Sequence, residues 1–375
     1  MTPALAVRAG LAVATFALIA GCTSPTDADP VTDETTAPTP TETSAAAADL
    51  VPATDTRLGR FPPFPKPQLP GSVAASLQAV LDQAIANDIV RGATAAVVVA
   101  GAGSWAGAAG VDRQGGVLTS DSRLLTASVG KTVTAAQTLR LVDDGKLRLD
   151  DRAAVHFPSE MSSFDANGAT IRDLLGMRSG LVDPDSFFTL VERHATVAEI
   201  AARVQEAFAP AGSTIQYANI NFVLLGAIIE QVTGRSLSQT TRGGVLAHPG
   251  LGGLRYSGIK NALAGDGWDV VSDPAALARW GYELYSGAVI SAASLREMTD
   301  FNGDWYGLGA IDFTHPDAGT FDTPVVGHGG SEESHFVRLV AFLRTGLVVS
   351  VQANADDFSE VEYVVNGLYE AVQRQ

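Results

Sequence analysis

The chain has 375 residues, of which 46% are hydrophobic, and a formal net charge of −16 at pH 7. This length allows one large domain or two smaller ones with a hydrophobic core, and the negative charge argues against nucleic acid as a partner, because an acidic surface repels phosphates. The single cysteine, Cys22, excludes an internal disulfide, so packing must stabilise the fold.

The first twenty residues have the pattern of an export signal. Arg8 precedes an apolar run at residues 11–20, which is too short to remain as a transmembrane helix. Small residues then stand directly before Cys22, as in a bacterial lipobox, where the cysteine is lipidated and becomes the mature N-terminus. A plain secretory signal with an incidental cysteine is the alternative. We expect residues 1–21 to be a lipoprotein signal peptide, with Cys22 anchoring the exported protein to the outer face of the cell membrane.

A polar segment follows the signal. From Thr23 to Thr56 there is no Lys or Arg, and Thr, Pro, Ala, Asp and Glu dominate, so this stretch cannot bury enough apolar surface to fold. The proline-rich residues 60–71 then run semi-rigidly towards the folded part. We expect a disordered acidic tether over residues 22–69 and one folded domain over residues 70–375.

Strands with covering helices are predicted at both ends of this domain. The hydrophobic spacing predicts helices over 72–89 and 358–373, and two hairpins formed by 93–101 with 104–111 and by 336–343 with 347–354. The chain between residues 128 and 300 is mostly helical, with helices that end at Gly145 and Gly234 and a capping box at Thr170 and Asp173. We therefore expect an α+β fold, an antiparallel sheet flanked by the N- and C-terminal helices with a mainly helical region inserted.

The stretch "LLTASVGKTV" (124–133) has two possible interpretations. Its end, Gly130-Lys131-Thr132, is typical of a phosphate-binding loop, but such a loop needs a glycine five positions before its Gly-Lys, where this chain has Leu125. If a helix begins at about Ser128, Ser128 and Lys131 lie on one face in contact. A hydroxyl becomes a good nucleophile when a neighbouring base takes its proton, and a partly desolvated lysine can be that base.

Ser-x-x-Lys alone is a weak signal, because it occurs a second time. Ser257 and Lys260 have the same spacing, but the sequence "NALAGDG" that follows is not helical, so we interpret this copy as a solvated loop. What distinguishes the first copy is the sequence downstream. Tyr217-Ala218-Asn219 lies 89 residues after Ser128, and His328-Gly329-Gly330-Ser331 lies 111 residues further on.

The three motifs in this order resemble the serine β-lactamase and penicillin-binding protein family, and most of all its class C, D-alanyl-D-alanine carboxypeptidase and esterase branch. The resemblance extends over nearly all of residues 72–375, with further similar stretches that include "TIRDLLGMRSGL" (170–181) and "YGLGA" (306–310).

The resemblance implies a serine hydrolase of the β-lactamase fold that works through an acyl-enzyme without a cofactor. Ser128 would be the nucleophile, Lys131 its proton acceptor and Tyr217 a second proton shuttle. The backbone N–H groups of Ser128 and Ser331 would form the oxyanion hole. The substrate would contact Asn219, His328, Gly329 and Gly330, and Asn219 could instead cap a helix.

Two departures from the family pattern leave the substrate open. His328 stands where many relatives have lysine, and a neutral imidazole would anchor a substrate carboxylate less firmly. Glu332 and Glu333 would disfavour a substrate with a free carboxylate if they face the site, although both could equally point to solvent.

The function that we expect is an ester or amide hydrolase of the D,D-carboxypeptidase or esterase type, acting on a small molecule or peptide such as one derived from peptidoglycan. A true β-lactamase and a binding lipoprotein without turnover are the alternatives. We expect no metal, because His156, His194, His248 and His315 share no ligand spacing. We expect a monomer.

Overall fold

The computed structural model describes residues 61–258, 265–267, 269–319 and 321–374. The predicted signal peptide, the lipidation site at Cys22, the tether up to residue 60 and Lys260 of the second Ser-x-x-Lys lie outside the described residues. Within the described ranges, no helix combines the length and the hydropathy needed to cross a membrane.

Strands from both ends of the chain form one antiparallel sheet. Its six strands are arranged in the order β2-β1-β9-β8-β7-β6. These strands are β1 (Gly92–Val99), β2 (Gly103–Gly110), β6 (Ile311–Asp312), β7 (Val325–Glu332), β8 (His335–Phe342) and β9 (Leu347–Asn354). A smaller sheet has the order β3-β5-β4, formed by Leu124–Leu125, Val270–Ser272 and Arg255–Tyr256.

The helices cover both faces of the main sheet. Helices α1 (Gly71–Ala86) and α10 (Phe358–Gln373) pack together on one face, and α8 (Pro274–Tyr285) packs on the other face against β1, β8 and β9. Because both faces are covered, β1 and β9 are buried along nearly their whole length, which explains their continuous apolar sequence.

The segment between the two halves of the sheet is mainly helical, as predicted. Its helices are α2 (Lys131–Asp143), α3 (Ile171–Leu175), α4 (Phe187–Glu192), α5 (Val197–Ala201), α6 (Ile220–Thr233), α7 (Leu237–Gly243), α8 and α9 (Ala292–Met298). The capping box of Thr170 and Asp173 is present at the start of α3. Helix α6 ends at Gly234, whose φ of 65° is the left-handed conformation that glycine adopts without steric cost.

Residues 61–69, which we assigned to the tether, form a strap against the domain instead. The rings of Phe61 and Phe64 lie 5.2 and 5.5 Å from the ring of Tyr282, whose hydroxyl donates to the carbonyl of Pro62 at 2.7 Å. Leu69 is buried. Proline composition correctly indicated an extended segment, but it carried no sign of the aromatic partner more than 200 residues away.

We predict that the strap stabilises the domain. A chain shortened to begin at residue 70 should lose about 3 kcal/mol of unfolding free energy relative to a chain that begins at residue 56, because the contacts of three apolar side chains are removed. Urea denaturation of the two chains measures the difference. Identical midpoints and slopes would show that the strap adds nothing.

Candidate active site

Ser128 lies in a tight turn between a short strand and a helix. Strand β3 leads into Thr126, whose backbone N–H and hydroxyl both donate to the carbonyl of Val270 on β5. Ala127 follows with a φ of 45°, a left-handed conformation that is uncommon for alanine. A 3₁₀ turn over Ala127–Gly130 then continues into α2. The predicted helix start near Ser128 is therefore this 3₁₀ turn, and it places Ser128 one residue after the left-handed alanine.

Lys131 is fully buried beside Ser128. Its Nζ donates to Ser128 Oγ at 2.9 Å and to Asn219 Oδ1 at 2.8 Å. The first distance is within the range of direct proton transfer. A lysine that only served solubility at the surface would not be buried in this way.

Tyr217 lies just before α6 and faces the same amine. Its ring centroid is 5.3 Å from Lys131 Nζ, and its ring packs edge-on against Tyr306 with centroids 5.8 Å apart. Tyr217 keeps 36% of its surface exposed, whereas Tyr306 is buried. The second motif therefore reaches the Lys131 amine, and Tyr217 forms a wall of the site that is open to solvent.

Both the oxygen and the nitrogen of the Asn219 side-chain amide are hydrogen-bonded. Its oxygen accepts from Lys131, and its nitrogen donates to Asp183 Oδ2 at 3.0 Å. These two partners fix which way the amide points. Asn219 makes no side-chain cap bond to α6. Its oxygen already accepts one bond from Lys131, and the second N–H of its amide remains for a substrate.

Strand β7 carries the His-Gly-Gly-Ser motif directly alongside Ser128. A Cβ atom at Gly330 would lie 2.7 Å from the backbone nitrogen of Ser128, closer than real Cβ contacts occur, so only glycine allows this approach. The carbonyl of Val325 accepts from Phe313 at the outer edge of β7. Because strand N–H groups alternate between edges, the N–H of Ser331 points to that same edge, as the predicted oxyanion hole requires.

His328 is buried, and both of its ring nitrogens have partners. Nδ1 lies 2.5 Å from the carbonyl oxygen of Gly329, so Nδ1 carries the proton, and Nε2 accepts from the hydroxyl of Tyr306 at 3.2 Å. Burial, together with the nearby charge of Lys131, lowers the pKa of His328 to about 3. We expected His328 to contact the substrate, although less firmly than a lysine if that substrate carries a carboxylate. This geometry does not support that role, because the imidazole is neutral, enclosed and already bonded.

Two residues of the site were missed in the sequence. Tyr306 lies in the "YGLGA" stretch that carried part of the resemblance, but nothing in that stretch indicated a contact with His328. Asp183 lies two residues after the end of the "TIRDLLGMRSGL" stretch and accepts from the backbone N–H groups of Asn219 and Ile220 as well as from the Asn219 amide. Burial raises the pKa of Asp183 from its ordinary value, although these bonds and Lys131 oppose the rise.

The two glutamates after the motif differ in environment. Glu333 is exposed and forms an ion pair with Arg113, which agrees with the solvent-facing alternative for this residue. Glu332 is half-buried at the end of β7. Burial lowers the pKa of His335, and the nearby charge of Glu332 opposes that effect. In the second Ser-x-x-Lys, Ser257 is hydrogen-bonded to Asp269, the residue directly before β5.

The site geometry is accompanied by a match to a known family. A family model described as Beta-lactamase matches residues 77–364 of the chain. The chain belongs to the β-lactamase family. This confirms the resemblance drawn from the three motifs.

Two curated relatives match over shorter stretches. Penicillin-binding protein 4 of Amycolatopsis lactamdurans is 34% identical over 137 residues, which are 34% of this chain and 34% of that protein. Protein flp of Staphylococcus aureus strain MW2 is 29% identical over 118 residues, 30% of this chain and 24% of that protein. The matches thus span about a third of the length of these relatives or less.

Solved structures confirm the predicted α+β fold. D-amino acid amidase from Ochrobactrum anthropi SV3 has a TM-score of 0.69 at 21% identity, covering 81% of this chain and 99% of its own. A D-stereospecific amidohydrolase from Streptomyces sp. has a TM-score of 0.62 at 24% identity, with 77% and 97% covered. The octameric penicillin-binding protein homologue from Pyrococcus abyssi has a TM-score of 0.60 at 19% identity, with 75% and 73% covered.

We predict that Gly330→Ala impairs the site without unfolding the protein. The added methyl group must push β7 away from the nitrogen of Ser128, which misaligns the oxyanion hole and should lower kcat about a hundredfold on any substrate that the wild type turns over. Gly243→Ala is the matched control, because a Cβ atom there meets nothing within 4 Å. Equal kcat for Gly330→Ala and wild type would contradict the close approach.

We also predict that His328 makes the domain acid-sensitive. Below pH 6.5 the unfolded chain binds a proton on this imidazole while the folded protein does not, so stability falls as the pH drops towards about 3. Between pH 6.5 and 5.5 the loss from this group should be about 1 kcal/mol. Urea denaturation across this pH window should show that the unfolding free energy of His328→Asn depends less steeply on pH than that of the wild type. The slope should be unchanged for a variant of the exposed His194, and an unchanged slope for His328→Asn would refute the assignment.

Proposed function

We propose that the protein is a serine hydrolase that cleaves an ester or amide through an acyl-enzyme on Ser128. The observation that carries this proposal is the buried amine of Lys131 at 2.9 Å from Ser128 Oγ, with the glycine-lined strand β7 against the same residue. A pure binding site has no need for an amine and a phenol beside its nucleophile.

The chemistry follows from the positions of these groups. Ser128 Oγ attacks the carbonyl carbon while its proton passes to Lys131 Nζ, which must be deprotonated for this step. The oxygen of the tetrahedral intermediate is held by the N–H groups of Ser128 and Ser331. The leaving alcohol or amine receives a proton from Lys131 or Tyr217. Water then attacks the acyl-enzyme by the reverse steps and releases the acid.

The charges of the site favour a substrate without a free carboxylate next to the cleaved bond. His328 is neutral and enclosed, and Lys131 Nζ already donates to Ser128 and Asn219. Neither group therefore offers a free cation to an anionic substrate. Amidases and esterases fit better than a D,D-carboxypeptidase, whose substrate ends in a carboxylate. Two of the similar structures are a D-amino acid amidase and a D-stereospecific amidohydrolase, which makes D-amino acid amides the first amides to test.

β-Lactam hydrolysis and occupation without turnover are the competing functions. Because one of the relatives is a penicillin-binding protein, treatment with a β-lactam is a direct test of these two functions. A stable adduct without turnover would indicate a binding protein. Export and lipid attachment at Cys22 are predictions from the sequence. Together they would place the protein, whichever function it has, at the outer face of the membrane.

We predict that Ser128→Ala abolishes hydrolysis of p-nitrophenyl esters and D-amino acid amides, with a loss of at least a thousandfold in kcat, because the nucleophile is removed. Intact-mass spectrometry of the wild type should show the acyl adduct at Ser128. Ser257→Ala, in the second Ser-x-x-Lys, is the control and should keep its activity. Full activity in Ser128→Ala would remove the mechanism, and a lasting penicillin adduct without any turnover would favour the binding protein.

A further inference from the structure

Asp183 makes a set of contacts that the family motifs do not explain. Its Oδ2 accepts from the backbone N–H of Asn219 and from the Asn219 amide, both at 3.0 Å, and its Oδ1 accepts from the N–H of Ile220 at 2.7 Å. Donors face both oxygens, which is the arrangement of a carboxylate rather than of a neutral acid.

These contacts connect Asp183 to the nucleophile through a single amide. The nitrogen of Asn219 is held by Asp183, so its oxygen is turned towards Lys131 Nζ at 2.8 Å, and Nζ in turn donates to Ser128 at 2.9 Å. The four groups form one hydrogen-bonded series of carboxylate, amide, amine and hydroxyl. If the amide were reversed, its NH₂ group would face the amine, donor against donor.

The Asp183 carboxylate also brings a negative charge close to the Lys131 amine. The Lys131 amine lies over the rings of Tyr217 and Phe222. The nearby imidazole of His328 is neutral and hydrogen-bonded to Tyr306. The interaction of Asp183 with Lys131 also acts on the carboxylate itself. The negative charge of Asp183 behind Asn219 therefore acts on this buried amine.

We infer that Asp183 is a positioning residue, which fixes the amide of Asn219 and through it the place and the charge of the Lys131 amine. This inference rests on the proposed hydrolase function. In this role Asp183 acts through Asn219 and Lys131. It determines at which pH the amine is free to accept the proton of Ser128, and how well the amine is aimed at that hydroxyl.

The decisive variant is Asp183→Asn. A carboxamide has one acceptor oxygen, so it cannot accept from three donors, and its own NH₂ group would favour the reversed Asn219 amide. Loss of the negative charge makes the Lys131 ammonium easier to deprotonate. We expect the acidic limb of the pH profile to move down by about one pH unit and the plateau rate to fall about tenfold or more.

The rate of Ser128 labelling by a fluorophosphonate probe is measured against pH, because this reports nucleophile activation without knowledge of the substrate. In that step the Oγ–P bond forms, the P–F bond breaks, fluoride leaves and the Ser128 proton passes to Lys131. Hydrolysis of p-nitrophenyl acetate is measured in parallel.

Two further variants separate positioning from simple helix capping. Asp357→Asn removes a carboxylate that accepts from two backbone N–H groups at the start of α10, so it should reduce stability but leave the pH profile unchanged. Asp183→Glu keeps the charge but displaces it, so the acidic limb should stay at the wild-type pH while the plateau falls. This second variant decides the question even if Asp183→Asn does not fold.

The outcomes distinguish this inference from the proposed function. If the wild type shows no Ser128-dependent labelling or hydrolysis, the hydrolase proposal fails and the inference with it. If the wild type reacts and folded Asp183→Asn has the wild-type acidic limb, the inference alone is overturned. A wild-type plateau in Asp183→Glu would also overturn it.

Discussion

The active site depends on the burial of one amine, Lys131 Nζ. A charged amine taken out of water loses several kcal/mol of hydration unless polar partners replace it. Here Ser128 and Asn219 accept from it, and the rings of Tyr217 and Phe222 lie 5.3 and 5.9 Å away. The groups that make this burial tolerable are the groups of the site. A change to any hydrogen-bonding partner leaves a buried donor or acceptor unmatched, so local stability and reactivity cannot be altered independently.

The sheet topology explains how a strand comes to lie open beside this amine. Strand β7 is second from the edge, and the edge strand β6 pairs only with Val326 and Gly327. From His328 onward, no described strand covers that side of β7. The N–H of Ser331 is therefore free for an oxyanion, while the other edge of β7 is held by eight residue pairs with β8. The inner edge of β7 is thus held in place by β8, and its outer edge is uncovered. This arrangement suits an oxyanion hole, which must stabilise the developing negative charge without moving.

The sequence predicts those features that have a local or ordered pattern. The end helices and hairpins follow from hydrophobic periodicity, and three short motifs in a fixed order identify the family. Asp183, Tyr306 and the strap partner Tyr282 could not be found in this way. Each is a single residue whose role depends on a contact with a remote segment, and no spacing rule connects such residues. The enclosure of His328 was missed for the same reason, because its position in a motif says nothing about what packs over it.

Three features near Ser128 conflict with ordinary folding preferences. Ala127 is left-handed, Lys131 is a buried amine, and His328 is a buried imidazole kept neutral. Such conflicts tend to concentrate at functional sites, where the surrounding structure compensates for them. All three lie where β7, α2 and the start of α6 meet. The left-handed turn aims the hydroxyl, the amine fills the space beneath it, and the neutral imidazole lets β7 approach the amine without a second positive charge. The site thus combines a buried amine with a neutral imidazole beside it, while Tyr217 leaves one side open to solvent.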